Sequence, residues 1–204
     1  MQNAAFTARA LDWAYLPLLV EEGQVEYAIR GLVALGFAGA NVTAPHKAEA
    51  ARLTETELDS VNTLIVRDGR VEGHSTDTAI LDGVPAERPA ILGAGGAAAA
   101  FRTALPHARV FSRRGEWPPE VADADLVVHA TSARDEALVD LTEGQTLIDL
   151  PYPETATGRA AREAGATVID GREVLVAQGA AAFELWTGMP APVEVMRAAV
   201  GLVP

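Results

Sequence analysis

Thr43, Lys47, Asn62 and Asp77 are polar residues that fall at predicted strand ends or helix starts in the first part of the chain. Lys47 raises the sharpest question. It lies in "NVTAPHKAEA", where an apolar strand-like run gives way at Pro45 to the helical segment "KAEAARL". That puts it in the first turn of a helix, the end that favours anions. A cation there does little for helix stability. It suits chemistry if Asp77 meets it, because a lysine held by a carboxylate can donate a proton to a carbonyl oxygen that gains a hydride. In an open α/β sheet such strand ends and helix starts line one crevice. The residues alone also fit a plainer role, since an exposed lysine in a first turn costs only a few tenths of a kcal/mol.

A second group is "ILGAGGAAAAF". Gly93, Gly95 and Gly96 follow an apolar strand and precede a helix, the place of a dinucleotide-binding turn. Ala98 occupies the last position, where the usual Gly-x-Gly-x-x-Gly pattern has glycine. A turn that merely needs small residues reads the same way. The next strand ends in "RVFSRR". Ser112, Arg113 and Arg114 stand where an NAD-binding fold usually carries an acid for the ribose 2′-hydroxyl. Two guanidinium groups suit a 2′-phosphate instead, so the expected cofactor is NADP. The alternative is a pair of ordinary solvated arginines.

The elements that must position these groups alternate. "NAAFTARALDW" has helical spacing, and "YLPLLV" reads as a strand. Val25, Ile29, Leu32, Val33 and Leu35 give one helical face that ends at Gly36. "FAGANVT" reads as a short buried strand. "VNTLIVRDGRVEGHS" reads as a hairpin turning at Asp68-Gly69. "GVPAERPA" looks like a linker. Beyond it, strands alternate with helices in the manner of a parallel sheet, and two helices close the chain.

Composition excludes several classes. A net charge of -12 and a pI near 4.7 argue against general binding to nucleic acid or anionic membrane. The absence of cysteine rules out disulfides, thiol catalysis and cysteine-based zinc sites. His46, His74, His107 and His129 show no ligand spacing, so no metal is expected. The first residues lack the apolar and basic regions of a signal peptide, and no apolar run reaches the ~18 residues of a membrane span. A soluble, cytoplasmic protein with a small-molecule partner is expected, with oligomeric state left open.

In combination the motifs resemble the shikimate dehydrogenase family over nearly the whole chain. "NVTAPHK" looks like its Asn-Val-Thr-x-Pro-His-Lys block. "SVNTLIVRDGRVEGHSTD" looks like its Ala-Val-Asn-Thr strand, hairpin and Asn-Thr-Asp end. "GAGGAA", "SRR", "HATS", "DLPY" and "VLVAQGAAAFELWTG" follow in the family's order. The resemblance implies an α/β protein of two open-sheet domains. Residues 1–84 with 173–204 would form a substrate domain completed by C-terminal helices, and residues 85–172 a Rossmann-like NADP-binding domain. It implies reversible reduction of 3-dehydroshikimate to shikimate by NADPH. Lys47 and Asp77 would be catalytic. Thr43, Asn62, Tyr152 and Gln178 would bind substrate. Gly93, Ala94, Gly95, Gly96 and Ala97 would seat the cofactor with Ser112, Arg113, Arg114, Thr131 and Ser132.

The chain also departs from the family pattern. "QNAAF" at residues 2–6 matches the family's His-Asn-Ala-Ala-Phe, which there follows a first strand and a Ser-x-Ser-Pro segment. The expectation is a gap in the substrate-domain sheet, either because Met1 is not the true start and the strand lies upstream of it, or because this is a shortened member with changed substrate contacts. His129 stands for the family's Asn, and Ser75 for the Asn of Asn-Thr-Asp. The short spacing between "SRR" and "VVHATS" predicts that a helix or long loop is missing there. Two other functions fit the same residues: a non-catalytic relative that binds NADP or a metabolite, and a dehydrogenase of quinate or another shikimate-like acid.

Overall fold

The computed structural model describes residues 1–202. The chain forms two compact units, one comprising Met1–Asp77 with the stretch that begins at Val176, the other Thr78–Leu175.

The first unit opens with α1 (Gln2–Ala8), then α2 (Val25–Ala34), β1 (Gly39–Asn41), α3 (Lys47–Arg52), β2 (Thr63–Arg67) and β3 (Arg70–His74). In α2 the buried Val25, Ile29 and Leu32 recur at helical spacing, and Gly36 leaves the helix at φ +72°. The β2–β3 hairpin turns on Asp68 (φ 51°) and Gly69 (φ 77°), the two positive angles that a type I′ turn requires. The sheet runs β1-β2-β3, all antiparallel. One core joins α2 and α3 to the sheet through Ile29, Leu32, Ala50, Val61 and Leu64. A second gathers Phe6, Val176, Phe183 and Met196, from α1, from α6 (Gly171–Thr187) and from α7 (Val193–Ala199).

Helix α6 approaches the sheet at Gly39. Trp186 Nε1 donates to the Leu64 carbonyl at 2.9 Å. A Cβ on Gly39 would lie 2.2 Å from that oxygen and 2.4 Å from Trp186 Nε1. Gly39→Ala is therefore expected to displace Trp186 and lower stability by about 1–3 kcal/mol, read as an earlier midpoint in urea unfolding. An unchanged midpoint would show that the approach is not tight.

Tyr15–Val20 ("YLPLLV") does not form a strand, contrary to its pattern. A strand needs a ladder partner. Here the Asn3 side chain takes both polar groups of the Tyr15 backbone, accepting from its N–H at 2.6 Å and donating to its carbonyl at 3.1 Å. Pro17 has no N–H to offer. Leu16, Leu18 and Leu19 are exposed. The "FAGANVT" strand is half-buried rather than buried, since β1 pairs on one side only. Ala38 accepts from Val66 N–H and Val42 donates to the carbonyl of Asn62, just before β2, so the alternation of the ladder turns the N–H and C=O of Gly39 and Asn41 outward. Beside this free edge lies a groove of about 390 Å³, lined by Trp13, Tyr15, Leu16, Phe37, Gly39 and Trp186 among others.

The second unit is a five-stranded parallel sheet in the order β5-β4-β6-β7-β8. Its strands are β4 (Pro89–Leu92), β5 (Arg109–Phe111), β6 (Leu126–His129), β7 (Thr146–Asp149) and β8 (Thr167–Asp170). Helix α4 (Gly96–Ala104) follows β4, and α5 (Ala156–Glu163) follows β7. Strands buried on both faces read as apolar runs. Leu92, Phe111, Val127 and Leu147 fill one core; Ile91, Leu126, Val128 and Ile148 fill the other, with Phe101 of α4. No helix lies between β5 and β6, as the short spacing predicts. Among the described residues no helix is long and apolar enough to cross a membrane.

Candidate functional site

In the first unit the β1–α3 turn delivers Lys47 as the first residue of α3, and its carbonyl accepts from Val61 N–H at 3.2 Å. Asn62 immediately precedes β2, and Asp77 lies three residues beyond the end of β3. The hairpin therefore brings Asn62 and Asp77 together. Lys47 Nζ donates to Asp77 Oδ2 at 2.7 Å, and Asn62 Nδ2 donates to Asp77 Oδ1 at 2.8 Å. Asn62 is itself clamped: its Oδ1 accepts from Thr76 N–H at 2.8 Å and from Thr63 Oγ1 at 3.0 Å. Gln178 of α6 offers Oε1 to Asn62 Nδ2 at 3.4 Å.

Charge and exposure matter here. The Lys47 and Asp77 side chains are 27% and 25% exposed, so the pair is neither solvated freely nor sealed. Both Asp77 oxygens are engaged. The ammonium has three N–H donors, and among the described residues only Asp77 takes one. Two remain for a ligand oxygen. Because the acid balances the lysine, such a ligand would meet an oriented donor rather than a lone buried charge.

Thr43 sits in the turn before α3, exposed, with its carbonyl accepting from His46 N–H at 3.0 Å. No hydrogen bond joins its hydroxyl to the Lys47 group among the described residues. Tyr152 belongs to the second unit, where it is half exposed and its carbonyl accepts from Arg134 at 2.8 Å.

In the second unit the residues of interest gather at the C-terminal end of the parallel sheet. Leu92, His129, Asp149 and Asp170 are successive cross-strand partners along that end. Gly93 follows Leu92 with φ +116°, and a Cβ there would lie 2.7 Å from the Ala130 carbonyl, so glycine is required by the chain itself. Gly95 and Gly96 differ: a Cβ on either would meet nothing within 4 Å. Packing does not demand glycine at these two. Gly95 is the N-cap of α4, and no side chain caps that end. Ala94 and Ala97 complete the turn. Ser112 N–H donates to the Glu116 carbonyl at 3.1 Å. The Arg113 guanidinium pairs with Glu136 and lies 5.8 Å from the centroid of the Trp117 ring. Arg114 is exposed and makes no ion pair among the described residues. Ser132 is exposed, whereas Thr131 is partly buried and accepts from Ala133 N–H at 3.1 Å.

His129 is more than a replaced asparagine. It is fully buried, as is Asp149. Its Nδ1 lies 2.7 Å from Asp149 Oδ1 and its Nε2 lies 2.7 Å from Thr131 Oγ1. Thr155 supports the acid, donating its N–H to Oδ2 at 2.9 Å and its hydroxyl to Oδ1 at 3.1 Å. Sequence reasoning missed Thr63, Thr76, Asp149 and Thr155. The available signal was polar residues interrupting the apolar runs "DLVVHATS" and "TLIDLPY" at equivalent points.

Comparison with known proteins gives a consistent result. The chain matches the shikimate dehydrogenase substrate binding domain over residues 1–64 and the shikimate 5'-dehydrogenase C-terminal domain over residues 171–200. A shikimate dehydrogenase (NADP(+)) of Anaeromyxobacter sp. (strain Fw109-5) is 36% identical, over 98% of this chain and 89% of that protein. A crystal structure of a shikimate dehydrogenase in complex with NADP+ superposes with a TM-score of 0.87 at 27% identity, over 100% of this chain and 90% of the other. One from Thermus thermophilus, in complex with NADP(H) and shikimate, gives 0.86 at 26% identity, over 98% and 92%.

Proposed function

Because the chain belongs to the shikimate dehydrogenase family, we propose that it is an NADP-dependent oxidoreductase that interconverts 3-dehydroshikimate and shikimate. The unit containing β1–β3 would hold the substrate and the parallel-sheet unit the cofactor. The observation that carries the reading is the Lys47–Asp77–Asn62 cluster, an oriented ammonium with two donors to spare.

NADPH, when bound, supplies the hydride for the carbonyl carbon. Lys47 gives a proton to the oxygen as charge develops there, and takes it back in the reverse direction. Asp77 keeps the lysine aimed. Asn62 and Gln178 offer amides to the ring hydroxyls, with Thr43 and Tyr152 as further contacts.

The parallel-sheet unit fits NADP. Gly95 and Gly96 leave room above an uncapped helix start, which suits close approach by a pyrophosphate. Ala94, Ala97, Thr131 and Ser132 would assist there, and Ser112, Arg113 and Arg114 suit a 2′-phosphate. Arg113 would exchange Glu136 for the phosphate. A small anionic substrate, a soluble cofactor and the lack of cysteine agree with work in the cytoplasm.

The test is reduced-nicotinamide absorbance with purified protein, NADP and shikimate, with NAD and quinate as controls. Turnover with NADP and shikimate is the expected result. Turnover with quinate alone would move the substrate. A folded protein that binds NADPH but turns nothing over would be a binding relative.

A further inference from the structure

We infer that His129 and Asp149 are positioning residues: they set the Thr131 hydroxyl as a hydrogen-bond acceptor for the nicotinamide nucleoside end of the bound dinucleotide. This rests on the NADP reading above.

Asp149 carries no hydrogen to give as a carboxylate, and three donors converge on it: His129 Nδ1, Thr155 N–H and the Thr155 hydroxyl. The acid therefore holds the imidazole hydrogen on Nδ1. In the neutral ring that leaves Nε2 as an acceptor, and the group 2.7 Å away is the Thr131 hydroxyl. Thr131 must then spend its hydrogen on the ring. Its oxygen keeps two lone pairs, one filled by Ala133 N–H. The other accepts from a donor outside the protein. A hydroxyl left to itself would rotate and offer either role; the buried dyad removes that freedom, which is the use of second-layer partners at a site.

Location supplies the ligand. His129 and Asp149 are paired across β6 and β7 at the C-terminal end of the sheet, next to Leu92. Thr131 also approaches the glycine-rich turn: a Cβ on Gly93 would be 3.4 Å from Thr131 Cγ2. In an open parallel sheet this end is the ligand crevice. The basic pair Arg113 and Arg114 follows β5 on the far side of β4, so the phosphate-bearing end of the dinucleotide is provided for there. The end left for Thr131 is the one that carries ribose hydroxyls and a carboxamide N–H, both donors.

The test measures binding of NADPH and of adenosine 2′,5′-bisphosphate, which lacks the nicotinamide nucleoside, to the full chain. Thr131→Val is expected to weaken NADPH about tenfold, the loss of one hydrogen bond to a ligand, and to leave the bisphosphate unchanged. Thr131→Ser, which keeps the hydroxyl, should restore NADPH affinity. His129→Leu should weaken NADPH less than Thr131→Val, since the hydroxyl stays but loses its fixed orientation, and the double variant should be no weaker than Thr131→Val alone, since the dyad acts only through Thr131. Equal weakening of both ligands, unchanged NADPH affinity in Thr131→Val, or additive effects in the double variant would each overturn the inference. If His129→Leu does not fold, the Thr131 pair and the two ligands still decide it. Failure of the parent chain to bind NADPH would remove the NADP reading and this inference with it; parent binding with an unaffected Thr131→Val removes the inference alone.

Discussion

Lys47→Ala should lower turnover of shikimate by about a thousandfold while leaving NADPH affinity unchanged, because positioned proton transfer is worth roughly 10²–10⁴ in rate. The split is the informative part. Lys47 belongs to the first unit and the proposed cofactor groups to the second. The variant therefore removes the proton donor and leaves the cofactor groups intact. It also leaves Asp77 without its cation, but that side chain keeps the Asn62 amide and a quarter of its surface in water. The stability cost should stay near 1 kcal/mol, that of a partly exposed ion pair. Steady-state kinetics with a fluorescence titration of NADPH reads both quantities. Parallel loss of turnover and NADPH affinity would reassign Lys47 to structure or to cofactor contact. Unimpaired turnover would remove it from the chemistry.

Replacing Arg113 and Arg114 together by alanine should raise KM for NADP by about 10–100-fold, since hydrogen bonds between charged groups contribute roughly 1.5–3 kcal/mol each. KM for NAD should not rise. In the protein without ligand the Arg113 guanidinium is already paired with Glu136, so phosphate binding is an exchange of partners and not a new contact. That keeps the expected loss toward the lower end for Arg113. Arg114 has no such competitor among the described residues. In the double variant Glu136 loses its cation and becomes free to accept from a ribose hydroxyl, which favours NAD. Both arginines are exposed, so thermal stability should hardly move. The ratio of kcat/KM for the two cofactors is the measurement. A fall for NAD and NADP alike would mean the arginines support the turn and do not read the 2′ position.

Local rules carried much of the fold. Asp68-Gly69 between alternating apolar residues identifies a type I′ hairpin, and the spacing of Val25, Ile29 and Leu32 identifies α2, because each signal is contained within a few residues. Tyr15–Val20 could not be read the same way. Its composition suits a strand, but a strand exists only with a neighbour, and the neighbour is a distant fact. The meeting of Lys47 with Asp77 could be posed as a question from charge and helix polarity, and the hairpin answers it. The His129–Asp149–Thr131 chain was out of reach. It depends on the register of β6 against β7, which shifts every pairing if it slips by one residue, and no local pattern records that register.

The outward-turned backbone of β1 has a consequence for the protein in solution. Among the described residues nothing pairs with the outward N–H and C=O of Gly39 and Asn41, and with the exposed Leu16 in the adjoining groove they make an edge to which another chain can add by strand pairing. The net charge of -12 works against that encounter, since like-charged molecules repel before the edges meet. Repulsion of this kind reaches only about 8 Å at physiological ionic strength and about 3 Å in molar salt. Light scattering from concentrated protein should therefore rise with added salt, and a charged residue at Leu16 should suppress the rise.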